Sequence, residues 1–196
     1  VSHRPNIVVW ELIRPATRPP RVNILQPGAG VGGHCIAVDP WFIVHSAPEQ
    51  ARLIHTARIV NDDKPEWVLQ RVMETMERAG LTKSESEIAL LGLAFKPNID
   101  DLRESPAMRI AERMSDDGFK LVIAEPYIDA LPPSLSLHPL LPAKQAIARA
   151  DVVVVLVAHR EFEALRQLLS AHRASIDAVG LLSQDRQRAT AMTEAA

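Results

Sequence analysis

The sequence is poor in the features that would tie it to several classes of protein. One cysteine occurs in 196 residues, so no internal disulfide can form, and a lone thiol is typical of a reducing compartment such as the cytoplasm. The formal net charge is −2, which does not indicate general binding to nucleic acid or to an anionic membrane. No apolar run approaches the roughly 20 residues that span a bilayer. We therefore expect a cytoplasmic globular protein that binds neither nucleic acid nor a membrane.

Residues 83–182 alternate short apolar runs with amphipathic segments. Continuous apolar runs at 88–93 and 152–157 are typical of central strands in a parallel sheet. Ser105 and Pro106 predict a helix start, with serine as the N-cap and proline in the first turn. Further strands are predicted at 121–124 and 176–181, and further helices at 142–150 and 162–169. The alternation predicts an α/β fold with a small, doubly wound, Rossmann-like parallel sheet.

Residues 49–79 carry apolar side chains at three- and four-residue steps, which predicts a long helix. Pro65 should start a new helix or kink a continuous one, and Gly80 should end the helix. A helical stripe without a sheet beside it needs a partner surface, so we expect a homodimer contact here. The predicted organisation is a cysteine loop and central helical region at 1–82, a sheet domain at 83–182 and an irregular tail at 183–196. A short helix is also predicted at 8–14.

A glycine cluster precedes the cysteine. Gly28, Gly30 and Gly33 match the spacing G-x-G-x-x-G, but a dinucleotide fingerprint needs a strand before it and a helix after it. Here a loop precedes the cluster and Pro40 soon follows, so we reject the dinucleotide interpretation. Glycines let the backbone approach a ligand closely, and a glycine loop leading into Cys35 can present a thiol to a substrate. A purely structural turn is the alternative. No histidine pair has metal-ligand spacing, so no metal is expected.

Two segments together resemble the UDP-glucose/GDP-mannose dehydrogenase family. The first is GAGVGGHCIAVDP at 28–40, and the second is GLAFKPNIDDLRESP at 92–106, which is similar to the family's strand-to-helix segment. His34, directly before the cysteine, is similar to the branch that acts on UDP-N-acetylmannosamine. The resemblance runs from about Trp10 to Val157 and weakens beyond that point.

The resemblance implies a two-step oxidation of a UDP-sugar C6 alcohol to a carboxylate, with two NAD, for surface polysaccharide synthesis. Cys35 would be the nucleophile that passes through a thiohemiacetal and a thioester, since a thiol both attacks and leaves well. Asp39 would assist near the thiol and its water, although a role in capping the turn before Pro40 is equally open.

The resemblance also implies ligand contacts. The residues that match the family's UDP-sugar contacts are Arg21, Gly30, Gly32, Gly33, His34, Phe95 and Lys96. Arg103 matches a residue that contacts NAD across a domain interface. Pro19 departs from the pattern, because the branch carries a histidine there. Lys96 follows a strand's carboxyl end, where a lysine can meet a phosphate.

The family's NAD-binding domain, with its own glycine fingerprint, is not found in this sequence. We therefore expect a fragment whose NAD is bound mainly by a domain outside it, with a separate amino-terminal NAD-binding half as a candidate partner. The isolated chain should have no dehydrogenase activity. The alternative is a non-catalytic module that binds a UDP-sugar or dimerises.

Overall fold

The computed structural model describes residue 13 and residues 26–182. Ile13 is helical, but the rest of the helix predicted at 8–14 lies outside the described residues, as do Pro19, Arg21 and the predicted tail. Within the described part, no helix is both long and apolar enough to cross a membrane.

Between residues 26 and 182, helices come first and strands begin only at residue 87. The elements in chain order are α1 (Asp39–Ser46), α2 (Arg52–Asp62), α3 (Lys64–Arg78), β1 (Glu87–Leu91), α4 (Pro106–Asp116), β2 (Lys120–Ala124), a 3₁₀ turn (Pro133–Leu135), α5 (Ala143–Arg149), β3 (Val152–Val155), α6 (Arg160–Glu163), α7 (Arg166–Ala171) and β4 (Ser175–Asp177).

The long helix predicted at 49–79 is two helices. Pro65 lies in the first turn of α3, where its missing N–H costs no helical hydrogen bond, and α2 ends at Asp62. Gly80 has φ 65°, and the N–H groups of Gly80 and Leu81 donate to the carbonyls of Glu77 and Met76. This pairing is a Schellman motif, so both the new start and the glycine end are confirmed.

The four strands form one parallel sheet in the order β2-β1-β3-β4. Alternate β1 side chains reach opposite faces: Ile88 and Leu90 join the core formed with α3 and α4, whereas Ala89 and Leu91 join the core formed with α5, α6 and α7. Helices therefore cover both faces, which confirms the doubly wound α/β fold.

Several predicted elements differ in extent, and the strand expected at 88–93 ends at Leu91. The single helix expected at 162–169 is wrong: it is split between α6 and α7, because the N–H of Leu165 bonds to the carbonyl of Phe162 and closes a tighter turn. The strand expected at 152–157 stops at Val155, where the next two N–H groups both donate to the Leu91 carbonyl. The strand expected at 176–181 is short because the Asp177 carboxylate accepts the N–H groups of residues 179, 181 and 182, which curls the chain.

Candidate functional site

A pocket of about 400 Å³ opens at the carboxyl ends of β1 and β3. These strands are neighbours, but the chain leaves β1 toward β2 on one side of the sheet and later reaches β3 on the other. Such a reversal is the switch point where doubly wound sheets bind ligands. The pocket wall combines four segments: residues 26–30, residues that follow β1 together with the start of α4, residues that follow β3, and Val179 after β4.

The glycine loop packs directly on the segment that follows β1. A Cβ at Gly32 would overlap the carbonyl oxygen of Glu104 and lie 2.7 Å from Cδ of Pro106. A Cβ at Gly33 would lie 2.9 Å from Cε2 of Phe95, and Gly33 also has φ 92°. The two glycines therefore allow an approach that side chains would block. The two sequence motifs meet at this contact.

Helix α2 holds the same loop from another side. Oδ1 of Asn61 accepts the N–H of Val31 at 2.7 Å, and Nδ2 of Asn61 donates to the Val31 carbonyl at 3.1 Å. Nη1 of Arg58 lies 3.5 Å from the carbonyl oxygen of Ile36. Our sequence reasoning missed Asn61, because a polar residue inside a helical pattern gives no signal of a distant backbone partner.

Cys35 is exposed at the end of this loop. Its carbonyl accepts the N–H groups of Val38 at 3.0 Å and Asp39 at 2.8 Å, which forms the turn that leads into α1. The N-cap of α1 is Val38, whose side chain makes no capping hydrogen bond, so Asp39 is not the N-cap of this helix. Asp39 is exposed in the first turn of α1, four positions after the thiol. His34, beside Cys35, is also exposed.

Phe95 and Lys96 lie just beyond β1. Phe95 is half-buried, lines the pocket and contacts Gly33, whereas Lys96 is exposed. The N–H of Phe95 donates to the carbonyl of Asp101 at 3.1 Å, which folds the segment back on itself. The apolar ring thus faces the pocket while the cation at the next position stays in water.

A buried carboxylate and imidazole hold the segment that carries Phe95 and Lys96. Oε2 of Glu125 accepts the N–H groups of Leu93 at 2.7 Å and Ala94 at 3.1 Å. It also lies 3.1 Å from Nε2 of His159, whose Nδ1 accepts the N–H of Asn98 at 2.9 Å. These contacts bracket the segment at both ends. Polar residues soon after β2 and β3, the two strands on either side of β1, were the signal that could have found this pair.

The Glu125 carboxylate stays ionised despite its burial. Burial by itself raises the pKa of Glu125, but the hydrogen bonds from His159 and from the N–H groups of Leu93 and Ala94 outweigh it. The net result is a pKa below the ordinary value of 4.5.

Arg103 is paired with Asp101. Nε of Arg103 lies 2.9 Å from Oδ1 of Asp101, and Nη2 lies 2.6 Å from Oδ2. The hydrogen bonds from Arg103 lower the pKa of Asp101 to about 2. Asp101 in turn raises the pKa of Arg103, with a smaller contribution from Cys35. The Arg103 side chain nevertheless remains 67% exposed.

The start of α4 borders the pocket, but its N–H groups are already used. Ser105 caps the helix as predicted: its Oγ accepts the N–H groups of Ala107 at 3.2 Å and Met108 at 3.4 Å. Pro106 has no N–H to offer. The free backbone donors of a dinucleotide-type phosphate site are therefore not available at this helix start.

The described structure thus brings together Gly30, Gly32, Gly33 and Phe95 by direct packing, with Pro106 completing the contact at Gly30. His34, Cys35 and Lys96 are exposed on the two segments that meet there, while Arg21 lies outside the described residues. Among residues 26–182, no cluster of three or more histidine, cysteine, aspartate or glutamate side chains could hold a metal ion.

The parallel sheet and its switch-point pocket define a doubly wound α/β domain of the nucleotide-binding type. Two sequence models of one family match this chain: the UDP-binding domain of the UDP-glucose/GDP-mannose dehydrogenase family at residues 89–184, and the central domain of the same family at residues 1–63. The chain belongs to the UDP-glucose/GDP-mannose dehydrogenase family.

Known relatives cover most of the chain. It is 54% identical over 179 residues to the NDP-N-acetyl-D-galactosaminuronic acid dehydrogenase of Ralstonia nicotianae, covering 91% of this chain and 41% of the relative. It is also 54% identical over 182 residues to the UDP-N-acetyl-D-mannosamine dehydrogenase of Escherichia coli K12, covering 89% of this chain and 43% of the relative. The chain therefore spans about two fifths of the length of these relatives.

A solved structure supports the fold. The UDP-D-ManNAc dehydrogenase of Pyrococcus horikoshii superposes with a TM-score of 0.75 at 33% identity, over 89% of this chain and 41% of that structure.

Proposed function

We propose that this chain carries the UDP-sugar-binding and thiol-bearing part of a nucleotide-sugar 6-dehydrogenase. The reaction is oxidation of UDP-N-acetyl-D-mannosamine to its uronate with two NAD, for surface polysaccharide synthesis. One observation carries the proposal: the glycine loop that ends in exposed Cys35 packs against Phe95, which lines the switch-point pocket. The loop that bears the thiol is thereby in direct contact with the wall of the pocket.

The pocket and its rim suit the two halves of a UDP-sugar. Apolar side chains such as Phe95, Leu156 and Val157 line the interior and can cover a uracil ring. Because the N–H groups at the start of α4 are capped, diphosphate recognition falls to side chains. Lys96, exposed beside Phe95, is the cation we assign to it. Arg21, Gly30, Gly32, Gly33 and His34 are assigned to the sugar side by family resemblance.

Cys35 supplies the covalent step. The thiolate adds to the C6 aldehyde, a C–S bond forms, and the former carbonyl oxygen takes a proton to give a thiohemiacetal. After the second oxidation the adduct is a thioester. Water adds to its carbonyl, the C–S bond breaks, and the thiol and the carboxylate are released. Asp39, one turn from the thiol, is assigned to proton transfer to or from that water.

NAD, when bound, accepts the hydride removed from C6 in each of the two oxidations. Among the described residues, Arg103 fits one contact, because its guanidinium remains largely exposed while Asp101 orients it. The remaining NAD contacts are not assigned to residues 26–182, whose switch-point pocket is assigned to the UDP-sugar.

The sugar is assigned through the relatives. Two proteins with equal identity to this chain are named for N-acetylated hexosamine nucleotides of different configuration, so the acetamido group is the shared element. His34, which resembles the N-acetylmannosamine branch, favours the manno configuration. Titration with UDP-N-acetyl-D-mannosamine, with UDP-N-acetyl-D-galactosamine and with UDP-glucose tests this choice.

A homodimer is proposed through the helical region. Large apolar side chains on α1 and α2 are exposed in the single chain, including Phe42 at 66%, Leu53 at 82% and Val60 at 66%. Such exposure is unusual unless a partner covers it. Sedimentation should therefore show a dimer that Leu53→Lys dissociates, and a wild-type monomer at high concentration would contradict the dimer.

Two assays test the function and separate it from a second candidate. Calorimetry should show binding of UDP and of UDP-N-acetyl-D-mannosamine, and failure to bind either would overturn the proposal. A non-catalytic UDP-sugar-binding module is the second candidate, because residues 26–182 build a single sheet with a single switch point. With NAD and the UDP-sugar, we expect this chain alone to form no NADH. Addition of an NAD-binding half should then give turnover that Cys35→Ser abolishes. If the chain is a non-catalytic module, that addition should give no turnover.

A further inference from the structure

The Cys35 loop is held by α2 at two points that flank the thiol. Asn61 makes a two-bond clamp on the backbone of Val31, before the cysteine, and Arg58 approaches the carbonyl of Ile36, directly after it. Residues 32–35 therefore lie between two anchors on one rigid helix. On the sheet side, Gly32 and Gly33 meet Phe95 and Glu104.

The clamp is itself organised by charge. Nη2 of Arg58 lies 2.7 Å from Oδ1 of Asp62, and Nδ2 of Asn61 lies 3.2 Å from the same oxygen. The shared carboxylate fixes which way the Asn61 amide faces, because only its NH₂ group can donate to Asp62. Arg58 is only 7% exposed, so this arrangement lies beneath the surface.

We propose that Asn61 is a positioning residue for Cys35, which sets the direction of the thiol toward a bound UDP-sugar without contacting the sugar. The proposal rests on the function proposed above. A displacement of about 1 Å in a reacting group can slow a reaction by about 100-fold, so a two-bond clamp four residues from the nucleophile is well placed to control rate. Affinity for the UDP part should be unaffected, because Asn61 does not line the pocket assigned to it.

The chain's single cysteine makes the test specific, since any thiol label reports Cys35 alone. The probe is a UDP derivative in which a bromoacetyl group, joined to the diphosphate through a short amide-bearing linker, replaces the sugar. The Cys35 thiolate attacks its CH₂ carbon, the C–S bond forms, the C–Br bond breaks and bromide leaves. Saturation kinetics then give kinact, which depends on alignment, and KI, which depends on binding. Iodoacetamide, which needs no bound orientation, gives the intrinsic thiol reactivity.

For Asn61→Ala we expect kinact to fall about 10- to 100-fold, with KI and the iodoacetamide rate within about twofold of wild type. Asn61→Asp keeps an acceptor for the Val31 N–H but loses the donor to the Val31 carbonyl. Its kinact should therefore lie between that of wild type and that of Asn61→Ala. Thr56→Ala is the matched control: it removes an exposed hydrogen bond to the Arg52 carbonyl on the same helix and should change neither constant.

The outcomes distinguish a failure of this proposal from a failure of the proposed function on which it rests. If wild type shows no saturable labelling by the UDP probe, the proposed function fails. If wild type is labelled with saturation and folded Asn61→Ala has the wild-type kinact, the positioning role is overturned. Should Asn61→Ala fail to fold, the isosteric Asn61→Asp variant decides, and a wild-type kinact there also overturns the role. Parallel loss of kinact and iodoacetamide rate would indicate a general structural role and would equally overturn it.

Discussion

Nε2 of His159 lies 3.1 Å from Oε2 of Glu125, and both side chains are fully buried. Because the Asn98 N–H can only donate, Nδ1 of His159 must accept it, which leaves the proton on Nε2 for the bond to Glu125. The imidazole is therefore neutral and Glu125 carries the charge. That carboxylate also accepts the N–H groups of Leu93 and Ala94, so one buried charge holds the start of the segment that bears Phe95 and Lys96.

Glu125→Gln should destabilise the protein by about 1–3 kcal/mol at neutral pH. The carboxylate accepts hydrogen bonds at both oxygens, whereas glutamine has one oxygen and places its NH₂ donor opposite the Tyr127 N–H. The folded-state pKa of Glu125 is below 4.5, so its stabilising effect is present above that pH and is lost as the pH falls through the folded value. The difference in the free energy of unfolding between wild type and variant should therefore shrink under acid conditions. Urea unfolding followed by tryptophan fluorescence measures it.

Glu163→Gln is the matched control, since Glu163 is an exposed carboxylate on α6. It should leave the free energy of unfolding nearly unchanged at every pH. A Glu125→Gln difference that stays constant from neutral to acid pH would refute the assigned role of the Glu125 charge.

Two substitutions at His159 should each remove one of its two hydrogen bonds and keep the other. His159→Asn retains an acceptor near the Asn98 N–H but loses the donor to Glu125, whereas His159→Gln does the reverse. Amide exchange at Asn98, measured by NMR, should be about fivefold to tenfold faster in the Gln variant than in the Asn variant. Equal protection in both variants would contradict the tautomer assigned to His159.

The sequence alone was enough for the alternation of strands and helices and for the start of α4 and the end of α3, but not for the polar contacts that hold the site. Apolar runs and the Ser105-Pro106 and Gly80 signals act over a few residues, so local pattern determines them. The bonds from Asn61 to Val31 and from Glu125 to Leu93 join residues 30 and 32 positions apart. No local pattern encodes such pairs.

The same distinction explains the glycine cluster. Its spacing mimics a dinucleotide fingerprint, but Gly32 and Gly33 pack against Glu104, Pro106 and Phe95. The neighbouring proline and the absence of a preceding strand in the sequence pattern were sufficient to reject the fingerprint. The packing of the glycine cluster against the second motif, residues 92–106, could be recognised only from the folded structure.

Lys96→Met should weaken UDP binding about 10-fold, because the assigned charge-assisted contact to the diphosphate is removed. The affinity of the variant should also vary less with salt than that of wild type, since exposed charges are screened. Lys144→Met, at an exposed lysine on α5, is the control and should bind UDP normally. Calorimetry at low and high salt makes the comparison, and an unchanged affinity for Lys96→Met would remove Lys96 from the site.

Gly32→Ala should separate the two motifs, whereas Gly80→Ala should not. A methyl group at Gly32 meets a backbone carbonyl and the ring of Pro106, neither of which can move aside cheaply, while Gly80 faces open space and carries only the strain of φ 65°. Both variants should lose roughly 1–3 kcal/mol of stability, by overpacking at Gly32 and by backbone strain at Gly80. Only Gly32→Ala should also slow labelling of Cys35 by the UDP bromoacetyl probe. Wild-type labelling in a folded Gly32→Ala variant would show that docking of the loop on Phe95 and Pro106 does not set the position of the thiol.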